Sequence, residues 1–310
     1  MRCLFAYNPV SGKGKIKKKL GYIVKKLSQK FETVKLYQTK GPGELSKIAR
    51  EACGNFDVFI FSGGDGTIHE VICGLAEQEN KPLLGYIPTG TVNDVARSMG
   101  IKRSIKGALK TILEGNIEQF DVMKLNDRYA FYAVACGAMT TSSYMTGQKE
   151  KNKIGKVAYG IYALKHDFKF DRFKVKYTYN NIESETEAVL VLIFNSKSVS
   201  SFMMDKQAVL DDGLVDVAII TDLASKKAPT FFRRIKNMFN SFFLFLFGYR
   251  NFKKQRDMIC FSTSEATIKI EDNRCWNFDG EKGVEGELNL KVLQKEVSWI
   301  TPKKKEKKTK

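Results

Sequence analysis

The sequence is poor in the residues that build metal centres and disulfide frameworks. It contains two histidines and six cysteines, the latter at positions 3, 53, 73, 136, 260 and 275, and no CxxC pair occurs. A zinc site is therefore not expected. The scattered cysteines, most of them in apolar contexts, are typical of small core residues in a reducing cell.

A long apolar run is also absent. No stretch reaches the roughly 18 apolar residues of a transmembrane helix. The opening MRCLFAYNP indicates a short strand that runs into a turn, and no signal peptide is recognised. We expect a cytoplasmic protein that would meet a membrane from one side.

Acidic residues are outnumbered by basic ones, 34 to 52, which gives a net charge of +18. Such a surface favours an anionic partner, whether nucleic acid, an acidic membrane face or a phosphorylated ligand. Charge alone does not distinguish these partners from simple solubility. With 310 residues and 43% hydrophobic content, the chain is long enough for one large domain or two domains.

Strand-like and helix-like segments alternate up to about Asp121. The strand-like segments are RCLFAY, TVKLYQT, DVFIF and LLGYIP. This alternation predicts an α/β domain with an open, mostly parallel sheet and helices on both faces. Ligands of such sheets bind at the carboxyl ends of the strands, where the turns NPVSG, GGDGT and PTGTVND fall.

After Asp121 the pattern changes to strands with few helices between them. The segments YAFYAVAC, FKVKYTYN, TEAVLVLIFN, LVDVAIIT, TIKIE and NLKVL predict a β-rich antiparallel second domain. We assign residues 1–122 to a nucleotide-binding catalytic domain and 123–296 to the β-rich domain. The segment 297–302 is expected to return to the first domain, and 303–310 to form a basic tail.

The stretch GGDGT at 63–67 raises the clearest chemical question. Glycines let a ligand approach the backbone closely, and successive turn N–H groups form a concavity for phosphate oxygens. A carboxylate at that place makes sense when a divalent cation lies between it and the phosphate. Gly63, Gly64 and Gly66 are therefore candidates for a nucleotide cradle, and Asp65 for a residue that acts through magnesium and water. For GGDG alone, an ordinary tight turn is the alternative.

Two more polar turns follow strands. NPVSGKGK is not a Walker A loop, because GxxxxGK[ST] does not occur in the sequence. In PTGTVND, Thr91 could reach a phosphate. Asn93 and Asp94 stand at the start of the next helix, where capping is an alternative that is compatible with function.

Taken together, NPVSGKGK, GGDGTIHEV, PTGTVNDVAR, DDG at 211–213 and DGE at 279–281 resemble the motifs of the soluble bacterial diacylglycerol kinase family, which is related to sphingosine and ceramide kinases. The resemblance covers nearly the whole chain, with the motifs in the same order and at similar spacing. The motifs identify the superfamily much more specifically than they identify the lipid substrate. It implies that the β-rich domain takes the lipid substrate.

The resemblance implies an ATP site built from the NPxSG turn, a threonine after the second strand, the GGDGT loop and the PTGTVND turn. The corresponding positions here are Asn8, Pro9, Val10, Ser11, Gly12, Thr39, Gly63, Gly64, Asp65, Gly66, Thr67, Glu70, Thr91 and Asn93.

For catalysis, the resemblance implies that Asp65, Asp94 and Asp121 form a network with Mg²⁺ and ordered water. It makes Glu281 the general base, with Asp279 beside it. The chemistry agrees with this assignment, because a lipid hydroxyl is a weak nucleophile and a carboxylate within reach helps to deprotonate it during attack. The nearby Glu285 and Glu287 are expected to be solvated strand residues.

The DDG segment matches a structural cation site of the family. It would use the carboxylate of Asp212 and the backbone carbonyls of Val209 and Leu214. One position departs from the family, which commonly has asparagine where this chain has His69. An imidazole can donate a similar hydrogen bond, so we expect His69 to adjust the properties of the site without loss of function. A histidine that merely caps a helix or faces solvent is the alternative.

Two basic regions suggest contact with a membrane. The stretch FFRRIKNMFNSFFLFLFGYRNFKK at 231–254 has apolar residues at helical spacing and basic residues off that stripe. Such a helix would lie in an anionic interface or pack on the β-rich domain. The lysines from Lys303 onward would add attraction to an acidic surface. Those of 13–19 would do the same or would steer ATP to its site.

The sequence therefore predicts an ATP- and magnesium-dependent lipid kinase, with diacylglycerol as the leading acceptor, located in the cytoplasm and peripherally at an anionic membrane. The alternatives are an NAD kinase, which shares GGDGT, and a non-catalytic basic protein on a kinase scaffold that binds a membrane or nucleic acid. NPVSGKGK, the DDG segment and the late DGE argue against the first, and the intact acidic residues against the second. No zinc finger or RNA-binding aromatic signature supports a nucleic-acid partner. Members of the family often dimerise, so a homodimer is a candidate assembly.

Overall fold

The structure is a computed structural model that describes residues 1–9, 14–137, 172–199, 202–203, 208–221, 258–272 and 274–303. It divides into two compact units, Met1–Val122 with the segment from Leu293 onward, and Met123–Val292. The predicted site residues Val10, Ser11 and Gly12, the stretch 231–254 and the tail from residue 304 lie outside the described residues.

The first unit alternates strands and helices. Its elements are β1 (Arg2–Tyr7), α1 (Lys15–Leu27), β2 (Thr33–Gln38), α2 (Glu44–Ala52), β3 (Val58–Gly63), α3 (Asp65–Leu75), β4 (Leu83–Pro88), α4 (Asp94–Ser98) and α5 (Ile105–Glu114). The strand β5 (Asn116–Leu125) follows and has residues in both units.

The second unit consists of strands in the part that the structure describes. They are β6 (Arg128–Ala130), β7 (Ala133–Gly137), β8 (Phe173–Tyr179), β9 (Ile182–Ala188), β10 (Leu190–Phe194), β11 (Ser198–Val199), β12 (Phe202–Met203), β13 (Val215–Ile220), β14 (Met258–Thr263), β15 (Glu265–Ile270), β16 (Cys275–Phe278) and β17 (Glu281–Glu285). The last strand, β18 (Leu288–Thr301), begins in this unit and ends in the first.

The sheet of the first unit is parallel, with the order β2-β1-β3-β4-β18. Strands β1, β3 and β4 are buried almost throughout, as is typical of a parallel sheet whose faces are covered by helices. Helix α1 is amphipathic: it buries Ile16, Ile23 and Leu27 at helical spacing and exposes most of its lysines. The prediction of a mostly parallel α/β sheet is confirmed.

The second unit is antiparallel. One sheet has the order β14-β13-β10-β7-β16-β17, and the other joins β9, β8, β15 and the first residues of β18. Their facing sides enclose one core, to which the first sheet contributes Val134 and Trp276 and the second contributes Val175 and Ile268. Burial alternates residue by residue along β8, so the predicted half-buried antiparallel strand is confirmed.

Several strand boundaries differ from the sequence expectation. YAFYAVAC is two strands interrupted at Phe131 and Tyr132, and TEAVLVLIFN is divided at Val189. NLKVL and EVSWI, in contrast, belong to the single strand β18, which passes through Lys295 at a φ of 52°. The strand β5 was not predicted.

Two smaller findings concern the cysteines and the length and hydrophobicity of the helices. Cys3 and Cys136 are buried, and burial raises the pKa of each thiol to about 12. The other four cysteines are partly exposed, so the core role holds fully for only two of the six. Among the described residues, no helix is long and apolar enough to cross a membrane.

Candidate active site

The GGDGT turn joins β3 to α3. A Cβ on Gly63 would lie 2.0 Å from the Thr67 hydroxyl oxygen, so no side chain fits at that position. The same hydroxyl accepts a hydrogen bond from the backbone N–H of Gly64 at 3.3 Å. The threonine of the motif therefore closes the turn, and Asp65 is placed as the first residue of α3.

The loop after β4 lies directly against this turn. The backbone N–H groups of Thr89 and Gly90 both donate to the Gly63 carbonyl, at 2.8 and 3.0 Å. A Cβ on Gly90 would lie 2.5 Å from the Cα of Gly64. The register of the parallel strands causes this contact, because Gly63 of β3 lies beside Pro88 of β4.

Two polar side chains hold the second loop in place. The buried Tyr86 hydroxyl lies 3.0 Å from the Gly63 carbonyl oxygen and 3.3 Å from Asn93 Oδ1. Asn93 donates from Nδ2 to the Gly90 carbonyl at 2.7 Å and makes no side-chain cap of α4. The capping alternative for Asn93 is therefore wrong, and its side chain shapes the loop.

An acidic pair lies next to the two loops. Asp65 Oδ1 accepts a hydrogen bond from the Val95 backbone N–H at 3.2 Å, which brings it to the start of α4. Burial, and then the negative charge of Asp94, raise the pKa of Asp65 to about 6. Asp94 is 1% exposed, and its Oδ1 lies 3.4 Å from Nη1 of Arg97. A half-buried and a buried carboxylate side by side can hold a divalent cation.

The third predicted aspartate, Asp121, is 1% exposed on β5. Its Oδ1 accepts a hydrogen bond from the Lys295 backbone N–H of β18 at 2.8 Å. Asp65 and Asp94 thus interact with each other, while this contact of Asp121 joins two strands. Its membership of one network with them stays a prediction.

The first two strands also end at the site's edge of the sheet, because Tyr7 of β1 lies beside both Gln38 of β2 and Ser62 of β3. Asn8 and Pro9 follow β1 directly. Thr39 follows β2, is 6% exposed, and donates its backbone N–H to the Tyr7 carbonyl at 3.0 Å.

The remaining predicted nucleotide residues lie on the helix and loop already described. Gly66 and Thr67 belong to the first turn of α3. Glu70 accepts a hydrogen bond from the Leu45 backbone N–H at 3.2 Å and so ties α3 to the beginning of α2. The Thr91 carbonyl accepts a hydrogen bond from Arg103 at 2.5 Å.

His69, the departure from the family, is buried. It is 8% exposed, and its Nε2 lies 3.6 Å from the sulfur of Cys73, one turn further along α3. The alternative that it faces solvent is therefore wrong.

The DGE turn connects β16 to β17 in the second unit. The Asp279 carboxylate accepts three backbone hydrogen bonds, from Phe131 at 2.7 Å, Tyr132 at 2.9 Å and Ala133 at 3.0 Å. These contacts explain the interruption between β6 and β7. Asp279 is 3% exposed and has a positive φ of 53°, whereas Glu281 is exposed at the start of β17. One acid is occupied with the backbone, and the other faces solvent.

The DDG loop borders a cavity of about 150 Å³ that is lined by Val209, Asp212 and Leu214. Asp212 Oδ1 accepts the Leu214 backbone N–H at 3.1 Å, and Asp216, also in the lining, accepts the Ser262 hydroxyl at 2.6 Å. No group of three or more His, Cys, Asp and Glu side chains that could hold a metal occurs in the described residues. A cation here would depend on one or two carboxylates and on backbone carbonyls.

Sequence reasoning missed several residues that shape the site. Tyr86 lies in the predicted strand LLGYIP and was given no role, and Gly90 stood inside a quoted motif without a role. Arg97 had a usable signal, because it lies three residues after Asp94 and a short helix brings such residues together. Arg103 offered no comparable signal.

Comparisons with known proteins agree on one family. The diacylglycerol kinase catalytic domain matches residues 2–125. Over 221 residues the chain is 35% identical to a diacylglycerol kinase of Staphylococcus saprophyticus, covering 71% of this chain and 72% of that protein. A diacylglycerol kinase of Staphylococcus aureus strain MRSA252 is 36% identical over 71% and 70% of the two chains. A crystal structure of a diacylglycerol kinase from Bacillus anthracis str. Sterne has a TM-score of 0.76 and 26% identity over 97% of this chain and 96% of that one.

Proposed function

This chain belongs to the diacylglycerol kinase family and is a kinase, and from that premise we propose that it transfers the γ-phosphate of ATP to the hydroxyl of diacylglycerol to give phosphatidic acid. The observation that carries the proposal is the contact between the two glycine loops at Gly64 and Gly90, with the half-buried Asp65 and the buried Asp94 beside it. Phosphoryl transfer needs a fixed phosphate cradle and neutralisation of charge at the transferred group. The two glycine loops would supply the cradle, and Asp65 and Asp94 would hold the cation that neutralises the charge.

ATP is the phosphate donor in the proposal. Its phosphates would lie against the backbone of Gly63, Gly64 and Gly66, and the turn after β1 and Thr39 would line the rest of the site. The strand register supports this arrangement, because it gathers the ends of β1 to β4 at one edge. Glycine-rich turns at the carboxyl ends of parallel strands are common phosphate sites.

Magnesium fits the acidic pair. A carboxyl group with its pKa raised to about 6 by burial and by a second carboxylate is one whose ionised form a divalent cation would stabilise. Asp65 and Asp94 would hold it, with Asp121 completing the network. When bound, Mg²⁺ neutralises charge on the phosphates. The side chains themselves fix the geometry: Asp65 is held by the Val95 N–H and Asp94 by Arg97.

Glu281 is the proposed general base. Glu281 is exposed at the start of β17, and its carboxylate would take the proton of the lipid hydroxyl as the oxygen attacks the γ-phosphate. Asp279 would act as a positioning residue, because its three backbone hydrogen bonds fix the turn that carries Glu281.

The loop with Asp212 is the proposed second cation site. An oxygen donor set of one carboxylate with backbone carbonyls, here of Val209 and Leu214, suits Mg²⁺ or Ca²⁺. The cavity that these residues line supports the assignment.

The proposed location is cytoplasmic and peripheral to an anionic membrane. The support is the net charge of +18, which favours acidic lipid surfaces. The lipid acceptor would then be taken from the membrane surface, and the product belongs to phospholipid synthesis.

The test is phosphate transfer from labelled ATP with Mg²⁺ to a panel of acceptors in anionic mixed micelles. The panel contains diacylglycerol, monoacylglycerol, ceramide and sphingosine, with NAD as a separate soluble acceptor. We expect labelled phosphatidic acid. Labelled NADP would make the protein an NAD kinase, and transfer to another lipid would replace the substrate but keep the reaction class. The absence of every product would contradict the proposal.

A further inference from the structure

Arg103 is an exposed arginine that touches the loop after β4. Its Nη2 donates a hydrogen bond to the backbone carbonyl of Thr91 at 2.5 Å. A guanidinium carries five N–H donors, so this contact uses only part of the group. Among the described residues, no carboxylate forms an ion pair with Arg103 and no second acceptor takes its other N–H groups. The side chain therefore has both charge and donors left for a ligand.

The segment that carries Arg103 is fixed on both sides. Before it, the Ile101 backbone N–H donates to the Ala96 carbonyl at 2.8 Å, and Ile101 is 4% exposed. After it, the Ser104 side chain caps α5 by accepting the Gly107 backbone N–H at 3.2 Å. The main chain thus positions Arg103 beside Thr91, and little main-chain freedom is lost when its side chain binds a ligand.

The charge of Arg103 acts on the residues beneath the two glycine loops. The hydroxyl of Tyr86 lies 3.0 Å from the Gly63 carbonyl oxygen. Burial, and then the negative charge of Asp65, raise the pKa of this hydroxyl, and the positive charge of Arg103 opposes that shift. Arg97, in contrast, lies against the carboxylate of Asp94. Arg103 is therefore the cation beside these loops that no described carboxylate neutralises.

The strand order indicates which part of a nucleotide would meet Arg103. The order is β2-β1-β3-β4, and in the proposed complex the phosphates lie at the loops after β3 and β4. Thr39, which follows β2, lines the opposite end. Asp65 and Asp94, the proposed magnesium ligands, lie on the phosphate side with Arg103. Because the reacting phosphate must lie next to the cation, the terminal phosphate is the one on this side.

We propose that Arg103 binds the terminal phosphate of ATP, with Nη2 on the Thr91 carbonyl and another N–H of the same guanidinium on a non-bridging oxygen of that phosphate. The inference rests on the proposed kinase function. A planar guanidinium suits this arrangement because its fork can hold two acceptors at once. It would stabilise the negative charge of the phosphoryl group together with Mg²⁺. ADP lacks that phosphate, so the contact distinguishes the substrate from the product.

The test compares the Kd values of ATP and ADP, each with Mg²⁺, by isothermal titration in the absence of lipid. Arg103→Gln removes the charge and the fork. We expect the Kd for ATP to rise by about tenfold, the value of one hydrogen bond to a charged group, and the Kd for ADP hardly to change. If Arg103 only held the loop at Thr91, both nucleotides would weaken alike, because they share the inner phosphates. The ratio of the two Kd values separates these roles.

Lys102→Gln is the matched control, because it removes the same charge from the adjacent residue. The stem of Lys102 lies on α5, where a Cβ on Gly107 would be 2.6 Å from Lys102 Cβ. This variant should keep the ratio of the unaltered protein. Arg103→Lys keeps the charge without the fork and should recover part of the affinity for ATP. Melting temperatures without nucleotide show whether each variant is folded.

Equal weakening of ATP and ADP by Arg103→Gln, or no weakening, would overturn the inference, and the kinase proposal would stand as long as labelled phosphatidic acid forms. The same change of ratio in Lys102→Gln would also overturn it, because the effect would then be one of overall charge. If ATP binds but no lipid is phosphorylated, the lipid kinase proposal fails and the ratio still decides the role of Arg103. If ATP does not bind at all, both fail.

Discussion

Gly64 and Gly90 touch backbone to backbone: a Cβ on Gly90 would lie 2.5 Å from the Cα of Gly64 and 2.7 Å from Oδ1 of Asn93. Neither contact can be relieved by rotating a flexible side chain, because one partner is main chain and the other is the buried Asn93, held by Gly90 and Tyr86. The two loops are therefore fixed relative to each other.

Gly90→Ala should separate these loops. We expect a loss of stability of about 1–3 kcal/mol, the usual cost of forcing a methyl group into a packed place, and a tenfold or larger rise in the Kd for ATP. Gly41→Ala is the matched control, because nothing lies within 4 Å of a Cβ there. Isothermal titration with ATP measures the effect; equal Kd values for the two variants would show that the contact is not needed.

Asp65→Asn should stabilise the protein above pH 6. The pKa of Asp65 rises from 3.8 in the unfolded chain to about 6 in the folded protein, so folding takes up protons between these values. The stability that the protonated side chain contributes is present below pH 3.8 and is lost as the pH rises through about 6. In EDTA, we expect the melting temperature of the variant to exceed that of the unaltered protein only slightly at pH 4 and by the full amount at pH 7.5. The full difference corresponds to about 1–3 kcal/mol in the free energy of unfolding.

Magnesium should reduce this advantage, since it would stabilise the ionised pair. Asp57→Asn is a control of opposite sign, because the Arg2 backbone N–H lowers the pKa of Asp57. The melting temperature of Asp57→Asn should be lower than that of the unaltered protein at pH 7.5. An advantage of Asp65→Asn that does not depend on pH would refute the explanation.

Asp279→Asn should destabilise the second unit and slow catalysis together. An amide cannot accept all three hydrogen bonds of the carboxylate, and its N–H₂ group would face a backbone donor. We expect a loss of about 3 kcal/mol in a urea titration. Asp272→Asn, at an exposed carboxylate, should have little effect. An unaltered unfolding curve would mean that the three contacts do not stabilise the turn.

Asp212→Asn should remove a stabilising effect of divalent cations. If the loop binds Mg²⁺, the ion stabilises the folded protein by mass action and so raises its melting temperature. The gain in the free energy of unfolding is about 2.7 kcal/mol at a Mg²⁺ concentration of a hundred times the Kd. The variant should lose most of this increase, while Asp211→Asn keeps it. Thermal scans with EDTA and with increasing Mg²⁺ measure this increase in melting temperature. The same increase in the unaltered protein and in both variants would show that the ion binds elsewhere.

The features that the sequence predicted well are local ones. The strands β1 to β4 are short buried runs followed by glycine-rich turns, and both signals lie within a few residues. The loops GGDGT and PTGTVND were recognised for the same reason. That the turns would fall at one edge of the sheet followed from the rule that ligands bind at the carboxyl ends of parallel strands. The pairing of Asp65 with Asp94 was implied by the resemblance to the family.

What the sequence did not predict depends on contacts between distant residues. Asp279 interrupts YAFYAVAC through hydrogen bonds to residues nearly 150 positions away, and no local pattern records them. The close approach of Gly90 to Gly64 likewise arises from strand register. Register is set by the whole sheet and cannot be read from one segment.

The central claim is that this chain phosphorylates diacylglycerol with Glu281 as the base. The most direct measurement is the rate at which labelled phosphate passes from ATP to diacylglycerol in anionic mixed micelles, for the protein, Glu281→Gln and Glu285→Gln. Both glutamates are exposed on β17, so neither change should disturb the fold. We predict that phosphatidic acid forms, that Glu281→Gln slows its formation by at least about a hundredfold with ATP binding intact, and that Glu285→Gln does not. Near-normal turnover by Glu281→Gln would remove Glu281 from the mechanism, and the absence of labelled phosphatidic acid would contradict the account itself.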